Sequence, residues 1–190
     1  MIKNKADYKR FLRIELKLGE KGSANFFKLN FKTNFKPTQR FLLFHRTCEY
    51  YLNTSGNKLF YFAVKYLKYK QSLKLNFSIP ENVADEGLQL PHYGTIIINA
   101  NARLGKNCRI HACVNIGGSG GGLKAPQVGD YVYFAPGAKV YGDIQIASRI
   151  AIAANAAVGK SFLISDKLIG GIPAKEITDI DIHKIIKTYK

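Results

Sequence analysis

Imidazole is the side chain that changes charge near neutral pH, so the four histidines are the first candidates for proton chemistry. They are His45, His92, His111 and His183. His45 lies between Phe44 and Arg46 in a helical stretch and reads as a packed or surface residue. His183 lies in the tail and reads as exposed. His92 stands apart: counting back six residues from Ile98 lands on it, at a place where an aliphatic residue is expected. It is flanked by Pro91 and by Tyr93-Gly94-Thr95. A polar residue that breaks a regular pattern marks a functional position. His111 follows the apolar Ile110; a solvated turn histidine is the commoner case, and a place in the same cleft as His92, with Tyr93 also toward the substrate, is its functional reading. The cysteines Cys48, Cys108 and Cys113 have no metal-ligand spacing, and their odd number argues against a disulfide framework. They read as small buried hydrophobes, with none at a nucleophile position, and no metal is expected. The glycine-rich run Gly117–Lys124 lacks the strand–loop–helix setting of a phosphate-binding loop, so a loop over the cleft is the reading.

The elements that must position these residues follow from a six-residue period. Ile98, Leu104, Ile110 and Ile116, then Val128, Phe134, Val140, Ile146, Ile152, Val158 and Ile164, are all bulky and apolar. Small or turn-forming residues often follow them, as at Gly105, Ala135 and Ala153. This period fits neither a helix nor simple strand alternation. It predicts a stacked parallel β-helix in which each hexapeptide makes one flat side of a coil. Such a core is inert, so function is expected at its rims, its glycine insert and its subunit interfaces. The expected organisation is a helical region over residues 1–75, a β-helix over 76–175, and a capping tail, helix or strand, over 176–190.

The net charge of +16 is unevenly placed. Residues 1–75 hold 17 Lys and Arg against 4 Asp and Glu, and residues 76–190 hold 12 against 9. Helices are expected over residues 6–19, over 39–52 with Thr38 as N-cap, and over 58–73. They mix aromatic residues with lysines. A helical subdomain packed on the first coils is one reading, a surface touching anionic lipid is the leading functional one, and the two are compatible. Nucleic-acid binding has no recognised module to support it and is not expected. No run reaches the length of a membrane span and no signal peptide is evident, so a cytoplasmic location is expected, with peripheral contact at the inner membrane surface.

The run from Ile79 to Lys175 resembles the hexapeptide-repeat acyltransferases, and within them the serine acetyltransferase-like branch. The carrying residues are Ile79-Pro80, Gly87-Leu88, His92-Tyr93-Gly94-Thr95-Ile96-Ile97-Ile98-Asn99, Leu104-Gly105-Lys106-Asn107-Cys108 and Val114-Asn115-Ile116-Gly117-Gly118. Val128-Gly129-Asp130, Pro136-Gly137-Ala138-Lys139-Val140-Tyr141-Gly142 and Gly170-Gly171-Ile172-Pro173-Ala174-Lys175 complete the pattern. The resemblance implies a mainly β fold, a left-handed parallel β-helix with an α-helical N-terminal region. It also implies a homotrimer with active sites between subunits, and acetyl-CoA as donor. His92 matches the family's catalytic histidine. A neutral imidazole can take the proton of an acceptor hydroxyl as its oxygen attacks the thioester. The same match places a pantetheine channel at Gly118, Ala135, Pro136, Ala153 and Ala154, with Lys139, Lys160 and Lys175 as candidates for the nucleotide phosphates.

Three departures bear on the acceptor. The serine-specific enzymes of this family carry a carboxylate before the catalytic histidine, where this chain has Pro91. A second active-site histidine is replaced by Ala125 before Pro126, and the carboxylate that orients the imidazole maps near Phe77. Glu81, Asp85 or Glu86 could substitute for it, or a backbone carbonyl could hold the ring. The helical, basic front end resembles the members found with capsule and exopolysaccharide genes. The expectation is therefore transfer to a sugar hydroxyl, on a free or lipid-linked saccharide of surface polysaccharide. A serine O-acetyltransferase of cysteine synthesis is the alternative, and a non-catalytic scaffold or lipid-binding module the third reading.

Overall fold

A computed structural model of the chain describes residues 1–19, 23–30 and 35–186. They form two compact units, one of residues 1–76 and one that begins at Phe77.

In the first unit, helix α1 (Lys5–Leu16) is capped by Asn4, whose side-chain oxygen accepts the Asp7 N–H at 2.9 Å. It buries Tyr8, Phe11, Leu12, Glu15 and Leu16, a stripe with helical spacing. The short α2 (Phe26–Asn30) lies between the helices expected over 6–19 and 39–52 and buries Leu29. Helix α3 (Pro37–Asn53) starts two residues earlier than an N-cap at Thr38 allows. Pro37 opens it and the Gln39 side chain accepts the Lys36 N–H, so Thr38 is a buried first-turn residue and not the cap. Phe41 to Glu49 are all buried. The Arg46 guanidinium donates to both Glu15 oxygens and to Glu49 Oε2, and lies 4.9 Å from the Phe11 ring centre. Bracketing by two carboxylates compensates the desolvation of that cation. Helix α4 (Lys58–Leu75) buries only Val64, Lys68 and Leu75. Leu59, Phe62, Tyr66, Tyr69 and Leu73 stay exposed in a 3-4-3-4 spacing.

The second unit is a three-sided stack of parallel coils. Its strands are β1 (Phe77–Ser78), β2 (Ile96–Ile98), β3 (Arg103–Leu104), β4 (Arg109–Ile110), β5 (Val114–Gly117), β6 (Gln127–Val128) and β7 (Tyr133–Phe134). They continue as β8 (Lys139–Tyr141), β9 (Gln145–Ile146), β10 (Ala151–Ile152), β11 (Ala157–Val158), β12 (Lys167–Gly171) and β13 (Ala174–Asp179). The first sheet orders as β1-β2-β5-β8-β11, the second as β3-β6-β9, and the third as β4-β7-β10-β12-β13. Each coil therefore lays one strand on each sheet, and only the β12–β13 pair is antiparallel.

The period-six positions from Ile98 to Val158 are buried and fill the prism. Ile164 is not: it is 61% exposed, and Phe162 takes its place beside Ile146. Sixteen residues separate Ile146 from Phe162 where eighteen separate Val128 from Ile146, so the last coil is two residues short. The tail then folds back on the third sheet. There Ile182 and Ile186 pack against Ala151, with Tyr131, Tyr133, Leu168 and Ile180 around them. No helix among the described residues is long and apolar enough to cross a membrane.

Candidate active site

His92 sits at the corner where the chain passes from the third sheet to the first. Gln89 bridges Arg109, which sets Leu90 beside Ile110, and Ile98 pairs with Ile116. Eight positions separate Leu90 from Ile98, against six for Ile110 to Ile116, Phe134 to Val140 and Ile152 to Val158. This corner carries two extra residues. Leu90, 4% exposed, fills the core place that counting in sixes assigns to His92. His92 therefore replaces no core aliphatic; it lies exposed on the enlarged corner, next to the exposed Tyr93. Gly94 seats that corner. Its φ is +125°, and a Cβ there would stand 3.0 Å from the Ala112 Cβ of the next coil, so the loop lies flat only with glycine.

His111 occupies the same corner one coil on. Its ring centre is 5.7 Å from that of His92, and Tyr133 meets it edge-on at 5.2 Å. Burial, the nearby Arg109 charge and His92 hold its pKa below the usual imidazole value, so the ring is neutral at pH 7. Its Nε2 is enclosed with no hydrogen-bond partner. Nothing among the described residues hydrogen-bonds to the His92 ring. The position of the family's orienting carboxylate is the buried Phe77, paired with Ile96. Of the proposed substitutes, Glu86 pairs with Lys106 at 2.9 Å, at the corner between the second and third sheets. Asp85 shares that corner, and Glu81 lies at the one between the first and second.

In the following coils the place of His111 is taken by Ala135, Ala153 and Gly170. The Ala135 N–H donates to the Ile152 carbonyl and the Ala153 N–H to that of Ile169, which fixes the alignment. Gly170 approaches so closely that a Cβ on it would be 2.7 Å from that of Ala153. With Pro136 and Ala154 beside them, these residues make a corner of small side chains. It starts at His92 and His111 and ends at Gly170, whose register partner is the exposed Lys175. Lys139 opens β8 just past this corner, and its ammonium donates to the Cys113 carbonyl. The structure does not bring Gly118 and Lys160 to the same place. Both lie at the corner between the first and second sheets, Gly118 hemmed by the Gly122 and Lys124 carbonyls and Lys160 over the Phe162 ring at 5.3 Å. The glycine insert leaves β5 at that corner too, so within one chain it does not cover His92.

Sequence reading overlooked Arg109 and Tyr133. They flank core positions Ile110 and Phe134, pair in register, and face outward beside His111. Strand alternation around each core residue is the signal that identifies them. Cys48 and Cys108 are buried, and burial pushes the Cys108 thiol up to about 12. Cys113 is exposed, at a left-handed corner residue with φ +64°, contrary to the buried setting expected of it. Among the described residues no cluster suits a metal ion.

No family model matches the chain. A serine acetyltransferase of Staphylococcus xylosus is 36% identical over 104 residues, 54% of this chain and 47% of that protein. The chain thus spans about half the length of the curated relatives it matches. A structure of the Brucella abortus serine acetyltransferase in complex with coenzyme A superposes with a TM-score of 0.67 at 21% identity, over 93% of this chain and 70% of that one. The Neisseria gonorrhoeae serine acetyltransferase in complex with serine gives 0.62 at 25%, over 92% and 70%. These likenesses show a common fold. They also correct the expected acceptor: the relatives are named serine acetyltransferases, and none points to the sugar hydroxyl of a surface polysaccharide.

Proposed function

We propose that the chain is an acetyl-CoA-dependent serine O-acetyltransferase with His92 as its general base. The observation that carries this reading is the two-residue enlargement that sets an exposed histidine at the head of a corner lined by Ala135, Ala153 and Gly170. The His92 imidazole takes the proton of the serine hydroxyl as its oxygen attacks the thioester carbonyl. The tetrahedral intermediate expels the thiol sulfur of CoA, which leaves with the proton held by His92. Backbone N–H groups of the corner stabilise the oxyanion. Small side chains let the pantetheine arm lie against the coil edges, with Tyr93 and His111 toward the acceptor and Lys139 and Lys175 toward the phosphates.

In a homotrimer of left-handed β-helices a neighbouring subunit would bring its own first-to-second-sheet corner, with Gly118 and Lys160, to this groove. The exposed stripe of α4 gives the assembly an apolar face to bury. Its lysines Lys58, Lys65, Lys70 and Lys74, with no acidic residue on the helix, support peripheral contact of residues 1–75 with an anionic membrane from the cytoplasmic side. Absence of binding to anionic vesicles at low salt would remove that last part.

The activity is tested by thiol release from acetyl-CoA in the presence of L-serine. His92→Ala should lower kcat by roughly 10²–10⁴-fold while the assembly size in solution stays unchanged. Undiminished turnover in the variant sinks the assignment.

A further inference from the structure

We propose that the helical unit holds a site of its own for a nucleoside diphosphate, in a cavity lined by α1, α2, α3 and the first turn of α4; the inference does not depend on the acetyl-transfer reading. The cavity measures about 550 Å³. Small-molecule sites span about 300–1,000 Å³, so it is large enough for a ligand of that class.

The charge of the cavity comes from one helix. Lys5, Lys9 and Arg13 stand four residues apart, so they follow one another along one edge of α1 at intervals of about 6 Å. All three are exposed, and none has an ion pair among the described residues. The helix carries two acids, and both are engaged elsewhere. Asp7 pairs with Arg10 at 2.9 Å, and the buried Glu15 holds Arg46. Among the described residues no carboxylate lines the cavity. A concave surface with three cations and no counter-charge has a positive potential, and an anion is the ligand that neutralises it.

Its shape comes from aromatic rings. The Tyr8 and Thr47 hydroxyls share a hydrogen bond of 2.9 Å, and the Tyr8 ring stacks on Tyr50 with centres 5.0 Å apart. Tyr50 meets Tyr51 at 5.1 Å, Tyr51 meets Phe60 at 5.0 Å, and Phe60 meets Phe26 at 5.4 Å. These rings make a continuous band around the cavity. All but Tyr8 are only half-buried, so ring surface is left over for a ligand. Open aromatic surface beside unpaired cations suits a planar base that carries phosphate. The base stacks on the rings, and the phosphate oxygens accept from the ammonium and guanidinium groups. Two phosphoryl groups match two cations one helical turn apart. An anionic lipid shares the phosphate but brings acyl chains, which the polar Ser23 and Asn25 in the lining do not favour.

The test is calorimetric titration of the full-length protein with ADP, and with pyrophosphate and adenosine as its two halves. Each half should bind roughly tenfold or more weakly than ADP. Lys9→Glu, at an exposed position, should weaken ADP roughly tenfold or more, and Tyr51→Ala by a similar factor, with the urea midpoint of Lys9→Glu unchanged. Lys139→Gln in the prism should leave ADP binding as it is. Absence of ADP binding, or pyrophosphate binding as tightly as ADP, overturns the site. A loss in Lys139→Gln that Lys9→Glu does not share moves the nucleotide to the prism and overturns it as well. Vesicles of phosphatidylglycerol supply the other source of phosphate. They should not displace ADP; displacement gives the cavity to a lipid headgroup and overturns the nucleotide.

Discussion

In the helical unit the largest fully enclosed side chain is Arg46, bracketed by Glu15 and Glu49. Every polar or charged residue that is buried among the described residues belongs to this unit. In the prism the enclosed side chains are apolar, chiefly Ile, Leu, Val, Phe, Ala and Cys, repeated coil after coil. One core is held by a few directional contacts that fail together, the other by many interchangeable ones. The chemistry follows from that difference. A uniform apolar stack has no place for a polar group, so reactive residues collect where the stack departs from its period, at the His92 corner.

The contrast can be broken by experiment. The largest effect is expected from Glu15→Gln, which leaves the Arg46 cation half-compensated. Urea denaturation should show a loss of roughly 3–5 kcal/mol. A loss below about 1 kcal/mol would make the helical core as forgiving as the prism. Acid should act next. Burial depresses His45 to about 4 in the fold, from 6.5 when unfolded. Between those values the unfolded chain holds a proton that the folded one does not, so stability falls as pH falls. The slope is up to about 1.4 kcal/mol per pH unit. His45→Gln should flatten that slope, leaving the weaker trend of the same sign from His111. An unaltered slope would move the acid sensitivity elsewhere. The smallest effect is expected in the prism. Ala153→Leu should raise KM for acetyl-CoA roughly three- to tenfold, with the unfolding free energy from urea denaturation within about 0.5 kcal/mol of wild type, because Ala153 lies outside the packed core. A large stability loss would show that the corner is structural and not a groove.

The legible part of the chain was the part with a period. Ten of the repeat positions named from Ile98 to Val158 are core residues, because a hydrophobic spacing reports burial directly. The sequence counted through two changes of coil length without registering them. Leu90 and His92 both suit a six-residue template when a corner gains two residues, and Ile164 fits it where the chain had lost two. Corner length is fixed by backbone turns at positions such as Gly94, which hydropathy does not encode. The helical unit was legible in its helices and not in its core. Nothing in the spacing of Glu15, Arg46 and Glu49 announces that three charges are buried together, since an ion pair across helices leaves no periodic trace. Cys113 misled for the same reason: its type suits a core, but its left-handed φ puts it on a corner.

The returning strand β13 also settles how long this solenoid can be. Along the third sheet every strand from β4 to β12 points the same way, and each offers its outer edge to the next. A second molecule docking head-to-tail could extend that sheet in register, and repetition would make a filament. β13 occupies the last edge in the opposite direction, paired from Lys167–Asp179 to Gly171–Ala174. A newcomer would meet a strand of the opposite polarity. The tail is thus a terminator of polymer growth, and a chain cut before Ala174 would carry an open template.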